Sequence, residues 1–402
     1  MNTTRQPFKS PFLSRFTIDT SQFPFSNEEI KELDAKLVSY ERSILDPDIG
    51  KYLLTKNELF ASFAISKAEN SALSLNEARE LYELISRDPT LALVKKELKQ
   101  KGKLTVKDYE KLEFLNIVRV FKGYNQNLFS LKELNVDFIK ELHFQLTKGL
   151  DVFDQYLPGF TCYRAGKLRA SDDIVVGTYT PAPHKEILPS IIGLVNWLKT
   201  DLTPTNIAIF HGAVYALHPF TNGNKRVCRV LEHLLLRLAG LDGQNLYSPS
   251  YYYHRQKQRY YKNLLATAER SNLNYFSAFS LEAIALSIIG VLRTSIELQR
   301  VAYIKRAYTT PSVRALLKPL AKRKVLQFKN YYKAVEGKFA RQTFVDNLKK
   351  VVVDKSVIKT ASGKKTYYKL NLKLPEEKTY KQWVGFAVER LRYVPDDYIL
   401  AI

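Results

Sequence analysis

Apolar residues recur every three or four positions along most of the chain, which is the spacing of an amphipathic α-helix. Between residues 185 and 198, for example, Ile187, Ile191, Leu194, Val195 and Leu198 follow this spacing. The pattern predicts helices at residues 58–70, 76–86, 106–124, 135–150, 185–198, 206–217, 224–239, 253–271 and 275–298.

Two segments of the N-terminal half depart from helical periodicity. Residues 1–25 are polar and interrupted by Phe and Pro, so we expect an irregular arm there. Directly after it, Ser26 and Glu29 have the spacing of a capping box and predict the start of a helix. Short extended runs at residues 160–164 and 174–179 flank a charged loop, which predicts a β-hairpin or flap.

The pattern changes after residue 305. Short helices are predicted at residues 313–321, 325–332 and 342–350, followed by strands at 357–360 and 366–372 and a further helix at 382–394. This order resembles a winged helix-turn-helix domain, with residues 340–352 as the recognition helix. The side chains that this helix would offer to DNA are Arg341, Gln342, Asn347, Lys349 and Lys350. A basic protein-interaction or dimerisation module is the alternative.

The composition is ordinary for a globular protein, with 402 residues, 45% of them hydrophobic and 25% charged. These values exclude a wholly disordered or collagen-like chain and suggest two or three domains. Cys162 and Cys228 are too few for a disulfide framework, which favours a reducing compartment. The first 25 residues contain no apolar run of signal-peptide length, and residues 283–292 are too few to span a bilayer. We therefore expect a soluble, cytoplasmic protein with no membrane partner.

The formal net charge of +22 is unevenly distributed. Residues 301–402 contain 23 Lys and Arg against 8 Asp and Glu, and so carry +15 of this charge. A basic surface of this size is typical of contact with nucleic acid or another anionic partner. We expect the C-terminal domain to bind DNA or an acidic partner and the remainder of the chain to have a different function.

The segment HPFTNGNKRVCR, residues 218–229, lies between two predicted helices and begins the second of them. The backbone N–H groups of Gly223 and Asn224 would lie at the positive end of that helix, where a phosphate binds, and glycine lets the anion approach closely. Arg226 and Arg229 share one helix face and can bind further phosphate oxygens. His218 can accept a proton near neutral pH. The combination suits phosphoryl or nucleotidyl transfer to a hydroxyl.

These residues resemble the signature of the Fic family, H-P-F-x-[D/E]-G-N-x-R-x-x-R. The matching fixed positions are His218, Pro219, Phe220, Gly223, Asn224, Arg226 and Arg229. The extended runs before the motif are similar to the family's flap, which aligns the target segment by strand pairing. Tyr261 is similar to a tyrosine that the family places near the nucleobase. The resemblance covers roughly residues 30–300.

A weaker similarity lies nearer the N-terminus. The segment SKAEN, residues 66–70, is similar to the family's inhibitory-helix motif [S/T]-x-x-x-E-[G/N], although Ile65 stands where Ser or Thr is expected. The resemblance implies that Glu69 would pair with Arg229 and obstruct the γ-phosphate of a nucleotide. A carboxylate there would repel the phosphate and occupy its cation. An ordinary acidic residue on a helix surface is the alternative for Glu69.

The resemblance implies transfer of AMP from ATP to a protein. His218 would be the general base that deprotonates a Ser, Thr or Tyr hydroxyl of a target protein or of the chain itself. That oxygen would attack the α-phosphate and release pyrophosphate. Gly223 and Asn224 would hold the α- and β-phosphates with help from Lys225, Arg226 would offset the charge of the leaving group, and Arg229 would meet the γ-phosphate.

Two positions depart from the family pattern. Asn222 replaces the acidic Mg²⁺ ligand, and because an amide oxygen brings no charge we expect weakened Mg²⁺ binding. Lys225 replaces the commoner Gly, and Gly-Asn-Lys-Arg also occurs in the Doc branch, which transfers the γ-phosphate. The alternatives are therefore a Doc-like phosphotransferase and a weakly active, nucleotide-sensing DNA-binding regulator. Doc-like proteins are short and would not account for the N-terminal helices, so AMP transfer is favoured.

These observations predict a mainly α fold: a Fic all-helical core with a β-hairpin flap, a helical N-terminal region and a C-terminal winged-helix (α+β) domain. The expected parts are an arm at 1–25, a helical region with the inhibitory helix at 26–129, the Fic core at 130–300, the winged helix-turn-helix domain at 305–375 and a C-terminal helix and tail at 376–402. ATP and Mg²⁺ are the expected ligands. The expected partners are a hydroxyl-bearing target protein, the chain itself and DNA, with a homodimer left open.

Overall fold

The computed structural model describes residues 8–44, 47–69, 71–88, 96, 100–127, 129–160, 163–362 and 365–401. The chain divides into two compact units, of which the larger contains most residues up to Ser287 and the smaller is formed mainly by residues from Ile288 onward. The division therefore falls before residue 300, where the sequence predicts the end of the catalytic core.

The larger unit is built mainly of helices, which confirms the predicted mainly α class. They are α1 (Asn27–Ile44), α2 (Pro47–Ser66), α3 (Leu75–Arg87), α4 (Val106–Gln126), α5 (Val136–Thr147), α6 (His184–Thr200), α7 (Pro204–Leu217), α8 (Asn224–Leu238), α9 (Pro249–Arg255), α10 (Lys257–Glu269) and the start of α11 (Asn274–Ala307). Short 3-10 helices occupy Leu13–Arg15, Thr20–Gln22, Lys67–Glu69, Leu131–Glu133 and Leu150–Gln155.

Six predicted helices agree with these bounds to within three residues, whereas α2 begins eleven residues before the predicted start at 58 and α11 ends nine residues after the predicted end at 298. The capping box predicted for Ser26 and Glu29 is present, because each backbone N–H donates to the other residue's side chain, at 2.8 and 3.2 Å. The single helix predicted over residues 253–271 is wrong, since it is two helices, α9 and α10, separated at Gln256. Gln256 leaves the helical region of backbone space with φ −108° and ψ 39°.

Helix α7 lies at the centre of the larger unit. Thr203 caps its N-terminus by accepting the backbone N–H of Asn206 at 3.3 Å, and Pro204 occupies the first turn, where its missing N–H costs no hydrogen bond. Nearly all its residues are buried, and the helix is apolar on every side, as expected for a core helix. Helices α6, α8 and α10 pack against it. This packing fixes the C-terminal end of α7, where the candidate site begins.

The irregular arm predicted at the N-terminus is part of the core. Phe8, Phe12 and Phe16 are buried, and the ring of Phe8 meets the Trp197 ring edge-on with 5.2 Å between centroids. The arm passes so close to α6 that a Cβ at Gly193 would lie 2.4 Å from the carbonyl oxygen of Lys9. Glycine at this position therefore lets the arm pack directly on the helix backbone.

The predicted flap is a loop with one small hairpin. Val176 and Tyr179 exchange backbone hydrogen bonds of 2.9 and 3.0 Å around Gly177 and Thr178. The extended run predicted at residues 160–164 forms no strand in its described part, which comprises residues 160, 163 and 164. Tyr163 instead donates its backbone N–H to the Asp151 carboxylate at 2.7 Å. The second predicted run thus supplies the hairpin, and the first does not.

The smaller unit combines helices with a short antiparallel sheet. Its elements after α11 are α12 (Pro311–Lys322), β1 (Leu326–Gln327), α13 (Phe328–Lys333), α14 (Arg341–Val353), β2 (Val357–Ser362), β3 (Lys365–Leu370), α15 (Glu376–Arg390) and α16 (Asp396–Ile399). The sheet order is β1-β3-β2, and the register runs from Val357 opposite Leu370 to Ser362 opposite Lys365. The helix predicted at residues 325–332 is wrong at its start, because Leu326 and Gln327 pair with β3 before α13 begins.

Among the described residues, α11 is the one helix whose length and composition would suit a membrane span. Its most apolar 18-residue window has a mean hydropathy of 1.8, but 78% of that window is buried within the protein. A core helix of a soluble protein has the same character.

Candidate active site

The predicted motif loop and the flap line one cavity of about 680 Å³. From α7, the motif loop and the first turn of α8 come Tyr215, His218, Thr221, Asn222, Gly223, Asn224 and Lys225. From the flap come Arg164, Ser171, Asp173, Ile174, Val175, Val176 and Gly177. A cavity of this volume is large enough for a nucleotide-sized ligand.

His218 lies at the C-terminal end of the buried helix α7. Its backbone is left-handed, with φ 49° and ψ 61°, and its N–H donates to the carbonyl oxygens of Val214 and Tyr215, both at 3.2 Å. A left-handed residue is a common helix ending, although it is usually glycine. The chain turns sharply here, and the partly buried side chain borders the cavity.

The loop after His218 is closed by the side chain of Asn224. Its amide nitrogen donates to the Phe220 carbonyl at 2.7 Å, and its amide oxygen accepts the Phe220 N–H at 2.9 Å. Gly223, with φ 81°, then forms the N-cap of α8. The Asn224 side chain is thus occupied within the loop, so an anion in the cavity would meet the backbone N–H groups at the start of α8.

His143 of α5 supports this loop, and sequence reasoning missed it. Its Nδ1 accepts the backbone N–H of Gly166 at 2.9 Å, so the neutral ring carries its proton on Nε2, which donates to the Asn222 carbonyl at 3.0 Å. The ring stacks on Phe220 with 3.8 Å between centroids. Burial lowers the pKa of His143 to about 4, so the ring is neutral at pH 7. It lies 75 positions before the motif, and nothing in the local sequence marks it.

Asn222 does not lie in a set of metal ligands. Its amide oxygen accepts the Gly223 N–H at 2.8 Å, and its backbone carbonyl is bound by His143. Throughout the part of the chain that the structure describes, three His, Cys, Asp or Glu side chains nowhere come together as a metal site would require. Asn222 thus offers Mg²⁺ a neutral amide oxygen that is already hydrogen-bonded, and no chemical step below depends on this ion.

Arg226 is fully buried and paired with the protein. Its guanidinium lies 2.8 Å from a carboxylate oxygen of Glu113 in α4, and it also donates to the Tyr163 hydroxyl at 2.5 Å. Glu113 further accepts the hydroxyls of Ser66 and Tyr109, both at 3.0 Å. Arg226 is not among the residues that line the cavity, and sequence reasoning missed its buried partner Glu113.

Arg229 is also buried, and it binds the N-terminal helical region. Its guanidinium donates to the Ala64 carbonyl of α2 at 2.8 Å and lies 4.1 Å from the ring centroid of Tyr260. The hydroxyl of Tyr261 donates to the Ala68 carbonyl at 2.5 Å, and the Lys225 ammonium lies 5.0 Å from the Tyr261 ring. The end of α2 and the turn Lys67–Glu69 therefore pack on α8 and α10.

The predicted inhibitory residue is described only in part. The backbone of Glu69 ends the 3-10 helix Lys67–Glu69. Its side chain, and the whole of Asn70, lie outside the described residues. The pairing of Glu69 with Arg229 stays a prediction.

The residues predicted to contact DNA lie on α14 of the smaller unit. Arg341, Gln342, Lys349 and Lys350 are exposed, and Gln342 donates to the Asp346 carboxylate at 3.1 Å. The opposite side of α14 is apolar and buried, through Phe344, Leu348 and Val351. The helix therefore packs on the unit's core by one face and presents a basic face to solvent.

The fold and the site define a mainly helical protein in which a loop between two core helices leads into a helix N-terminus that borders a cavity opposite a flap. Residues 133–236 match the model of the Fic/DOC family, so the chain contains a Fic domain. The matched range includes α5, the flap, the motif loop and nearly all of α8.

Several known proteins are similar to part of the chain. Protein adenylyltransferase fic-1 of Caenorhabditis briggsae is 26% identical over 177 residues, which are 43% of this chain and 30% of the relative. A probable protein adenylyltransferase of Aquifex aeolicus is 35% identical over 77 residues, 18% of this chain and 24% of the relative. The similarity thus spans about a third or less of these relatives.

Solved structures of two Fic proteins are also similar to the chain. A Fic family protein from Desulfovibrio desulfuricans G20 has a TM-score of 0.48 at 18% identity, covering 87% of this chain and 98% of the other. A Fic domain containing signaling protein from Bacteroides thetaiotaomicron has a TM-score of 0.46 at 20% identity, covering 67% and 97% respectively.

Proposed function

We propose that this chain is a protein adenylyltransferase that transfers AMP from ATP to a Ser, Thr or Tyr hydroxyl of a protein, including itself. The observation that carries the proposal is the shared cavity, in which His218 and the N-terminus of α8 face the flap across a nucleotide-sized space. The Fic domain and the relatives named protein adenylyltransferases support the same reaction.

In the proposed reaction His218 takes the proton of the target hydroxyl. The hydroxyl oxygen forms a new bond to the α-phosphorus of ATP, the bond between that phosphorus and the bridging oxygen of the β-phosphate breaks, and pyrophosphate leaves. The backbone N–H of Asn224, and that of Gly223 once it leaves the Asn222 amide oxygen, stabilise the charge that develops on the phosphate oxygens. Lys225, which borders the cavity, adds a positive charge.

In this proposal Arg226 and Arg229 interact with the phosphates of ATP, so each must leave the protein group that it binds in the described structure. Both are bound to the protein, Arg226 by Glu113 and Arg229 by the Ala64 carbonyl. We infer that the described arrangement is a resting state in which the end of α2 holds the cation meant for the γ-phosphate. The hydrogen bond from Tyr261 to the Ala68 carbonyl supports this inference, because it brings the turn that ends in Glu69 to the same surface.

Label transfer tests the reaction. With [α-³²P]ATP, a Glu69→Gly variant should label itself or an added protein more strongly than the unmodified chain, and Glu69→Gly/His218→Ala should not label at all. Label from [γ-³²P]ATP alone would replace adenylyl transfer by the phosphotransfer of the Doc branch. If the Glu69→Gly protein takes label from neither nucleotide, the proposed function is wrong.

A second candidate function, DNA binding, is favoured by the smaller unit. The exposed basic face of α14 is followed by the β2–β3 hairpin, on which Lys359 and Lys365 are exposed, and residues 301–402 carry +15. Helix α14 would enter the major groove and the hairpin would contact the backbone. Nucleotide sensing by the larger unit would then control DNA binding.

The salt dependence of DNA affinity distinguishes this function from protein contact. In the full chain, a Lys349→Ala/Lys350→Ala variant should bind duplex DNA more weakly and lower the slope of log affinity against log salt by about 2. Lys378→Ala/Lys381→Ala on α15 removes the same charge and should leave the slope nearly unchanged. If both double variants lower the slope equally, α14 is not the DNA-binding element, and the net charge of the chain alone accounts for the attraction to DNA.

A further inference from the structure

Four consecutive backbone carbonyls at the end of α7 accept hydrogen bonds from the flap. The hydroxyl of Tyr179 donates to Ala216 at 2.9 Å. Arg169 donates to the other three carbonyls. Its guanidinium donates to the carbonyl oxygens of Leu217 at 3.4 Å and His218 at 2.8 Å, and its backbone N–H donates to the carbonyl oxygen of Pro219 at 2.9 Å. The last carbonyls of a helix lack helical partners, so the flap supplies what the end of α7 requires.

The same guanidinium also binds the flap at two further points. It donates to the carbonyl of Ser171 at 2.7 Å, two residues after Arg169, and to the carbonyl of Ala182, two residues before α6. It is almost fully buried, with a side-chain exposure of 2%. A planar guanidinium can serve several acceptors at fixed angles, whereas a lysine ammonium is a compact point charge that cannot reach them all.

An acidic residue extends this connection to α6. Asp172 accepts from the Arg169 guanidinium at 3.2 Å and from the backbone N–H of His184, the first residue of α6, at 2.6 Å. The segment between these fixed points, residues 173–177, lines the cavity opposite the motif loop. Arg169 thus joins the flap, the start of α6 and the backbone of His218.

We propose that Arg169 is a positioning residue that sets the distance between the flap, which aligns the target protein, and His218, which takes the proton of the target. This inference rests on the proposed adenylyl transfer. Arg169 does not touch the nucleotide; it acts through the His218 carbonyl and the flap backbone. Its loss leaves the phosphate-binding loop closed by Asn224 and frees the flap to move relative to His218.

The test uses the full chain with Glu69→Gly as the parent. Arg169→Gln and Arg169→Lys are compared with Lys185→Gln, which removes a positive charge on the first turn of α6. Self-labelling is measured against the concentration of [α-³²P]ATP. A displacement of the order of 1 Å at a reacting group lowers rates by about 100-fold, so both Arg169 variants should lose about that factor in maximal rate. The apparent KM for ATP should change by less than about twofold.

Hydrogen exchange provides the readout that does not depend on activity. In both Arg169 variants the amides of residues 171–182 should exchange at least about tenfold faster, with α8 unchanged, and Lys185→Gln should match the parent. Unchanged flap exchange, or a KM for ATP that rises as much as the rate falls, overturns the proposal. If Arg169→Gln does not fold, Arg169→Lys decides by the same measurements. A parent that takes no label refutes the proposed function instead, and flap exchange still shows whether Arg169 holds the flap.

Discussion

Replacing Glu113 by Gln should destabilise the larger unit strongly, because it leaves the positive charge of Arg226 buried without a counterion. Both side chains are at most 1% exposed, and their charged atoms lie 2.8 Å apart. At an effective dielectric constant of about 20, two unit charges at this distance attract by about 6 kcal/mol, which the cost of removing them from water largely offsets. Removing one partner of such a pair typically costs about 3–5 kcal/mol, and we expect a loss in this range.

Unfolding by urea measures this loss if the signal comes from the larger unit alone. The chain has two tryptophans, Trp197 in α6 of the larger unit and Trp383 in α15 of the smaller one. In a Trp383→Phe background, the fluorescence of Trp197 reports on the larger unit. The free energy of unfolding at pH 7 is then obtained by linear extrapolation for this parent and for its Glu113→Gln variant.

A double substitution separates the charge effect from lost packing. Glu113→Gln/Arg226→Gln removes both charges, so it should be less destabilised than Glu113→Gln alone although it changes more atoms. Ser66→Ala removes one hydrogen bond to the Glu113 carboxylate without leaving a charge unpaired, so it should cost about 1.5–3 kcal/mol, less than Glu113→Gln. A Glu113→Gln variant within about 1 kcal/mol of its parent, or losses that simply add in the double variant, would refute the account of a buried pair.

Three further predictions concern the packing of the arm, the titration of a buried histidine and the metal. Gly193→Ala should lower the free energy of unfolding in urea by about 1–3 kcal/mol, because the new Cβ would lie 2.4 Å from the Lys9 carbonyl oxygen. Gly243→Ala is the control, since the space around Gly243 is open. The pKa of His143 is about 4 in the folded protein against an ordinary value of 6.5, so the unfolded chain binds the proton first and stability falls as pH falls from 6.5 towards 4. Between pH 7 and pH 5 the free energy of unfolding of the unmodified chain should fall by about 2 kcal/mol more than that of His143→Gln. Gln at this position keeps a neutral donor for the Asn222 carbonyl. Equal falls in the two proteins would contradict a neutral His143 ring. Asn222→Asp should increase Mg²⁺-dependent self-labelling, and unchanged metal dependence would show that this position does not limit the reaction.

The sequence was sufficient to predict what depends on local order. Helix α6 follows from apolar spacing because it buries one stripe of its own residues, whereas α7 and α8 are buried on nearly every side. The loop from His218 to Lys225 was also predictable, since a turn containing glycine at a helix start has limited geometries. These residues are close in sequence, and the structure brings five of the predicted site residues to one cavity.

The supporting residues were not predictable, because their roles come from long-range contacts. Arg169 acts on carbonyls 48 to 50 positions away, and Glu113 pairs with a residue 113 positions away. In the sequence Arg169 is one basic residue in a charged loop that also contains Lys167, and only burial separates the two. The local pattern of the N-terminal arm, polar and broken by Pro, likewise gives no sign that its Phe side chains are buried in the core.

The burial of Arg226 and Arg229 changes what the motif implies about ATP. Their spacing in the sequence places both arginines on one helix face and suggests that the phosphates of ATP could bind them directly. In the fold each has a protein partner, so a nucleotide that engages them must first take them from Glu113 and from the end of α2. If the open form is a small fraction of the molecules, the apparent affinity for ATP is reduced by that fraction. Under the proposed function, whatever displaces the end of α2 therefore raises ATP affinity without touching the cavity, and the N-terminal helical region becomes the part of the chain through which the reaction is controlled.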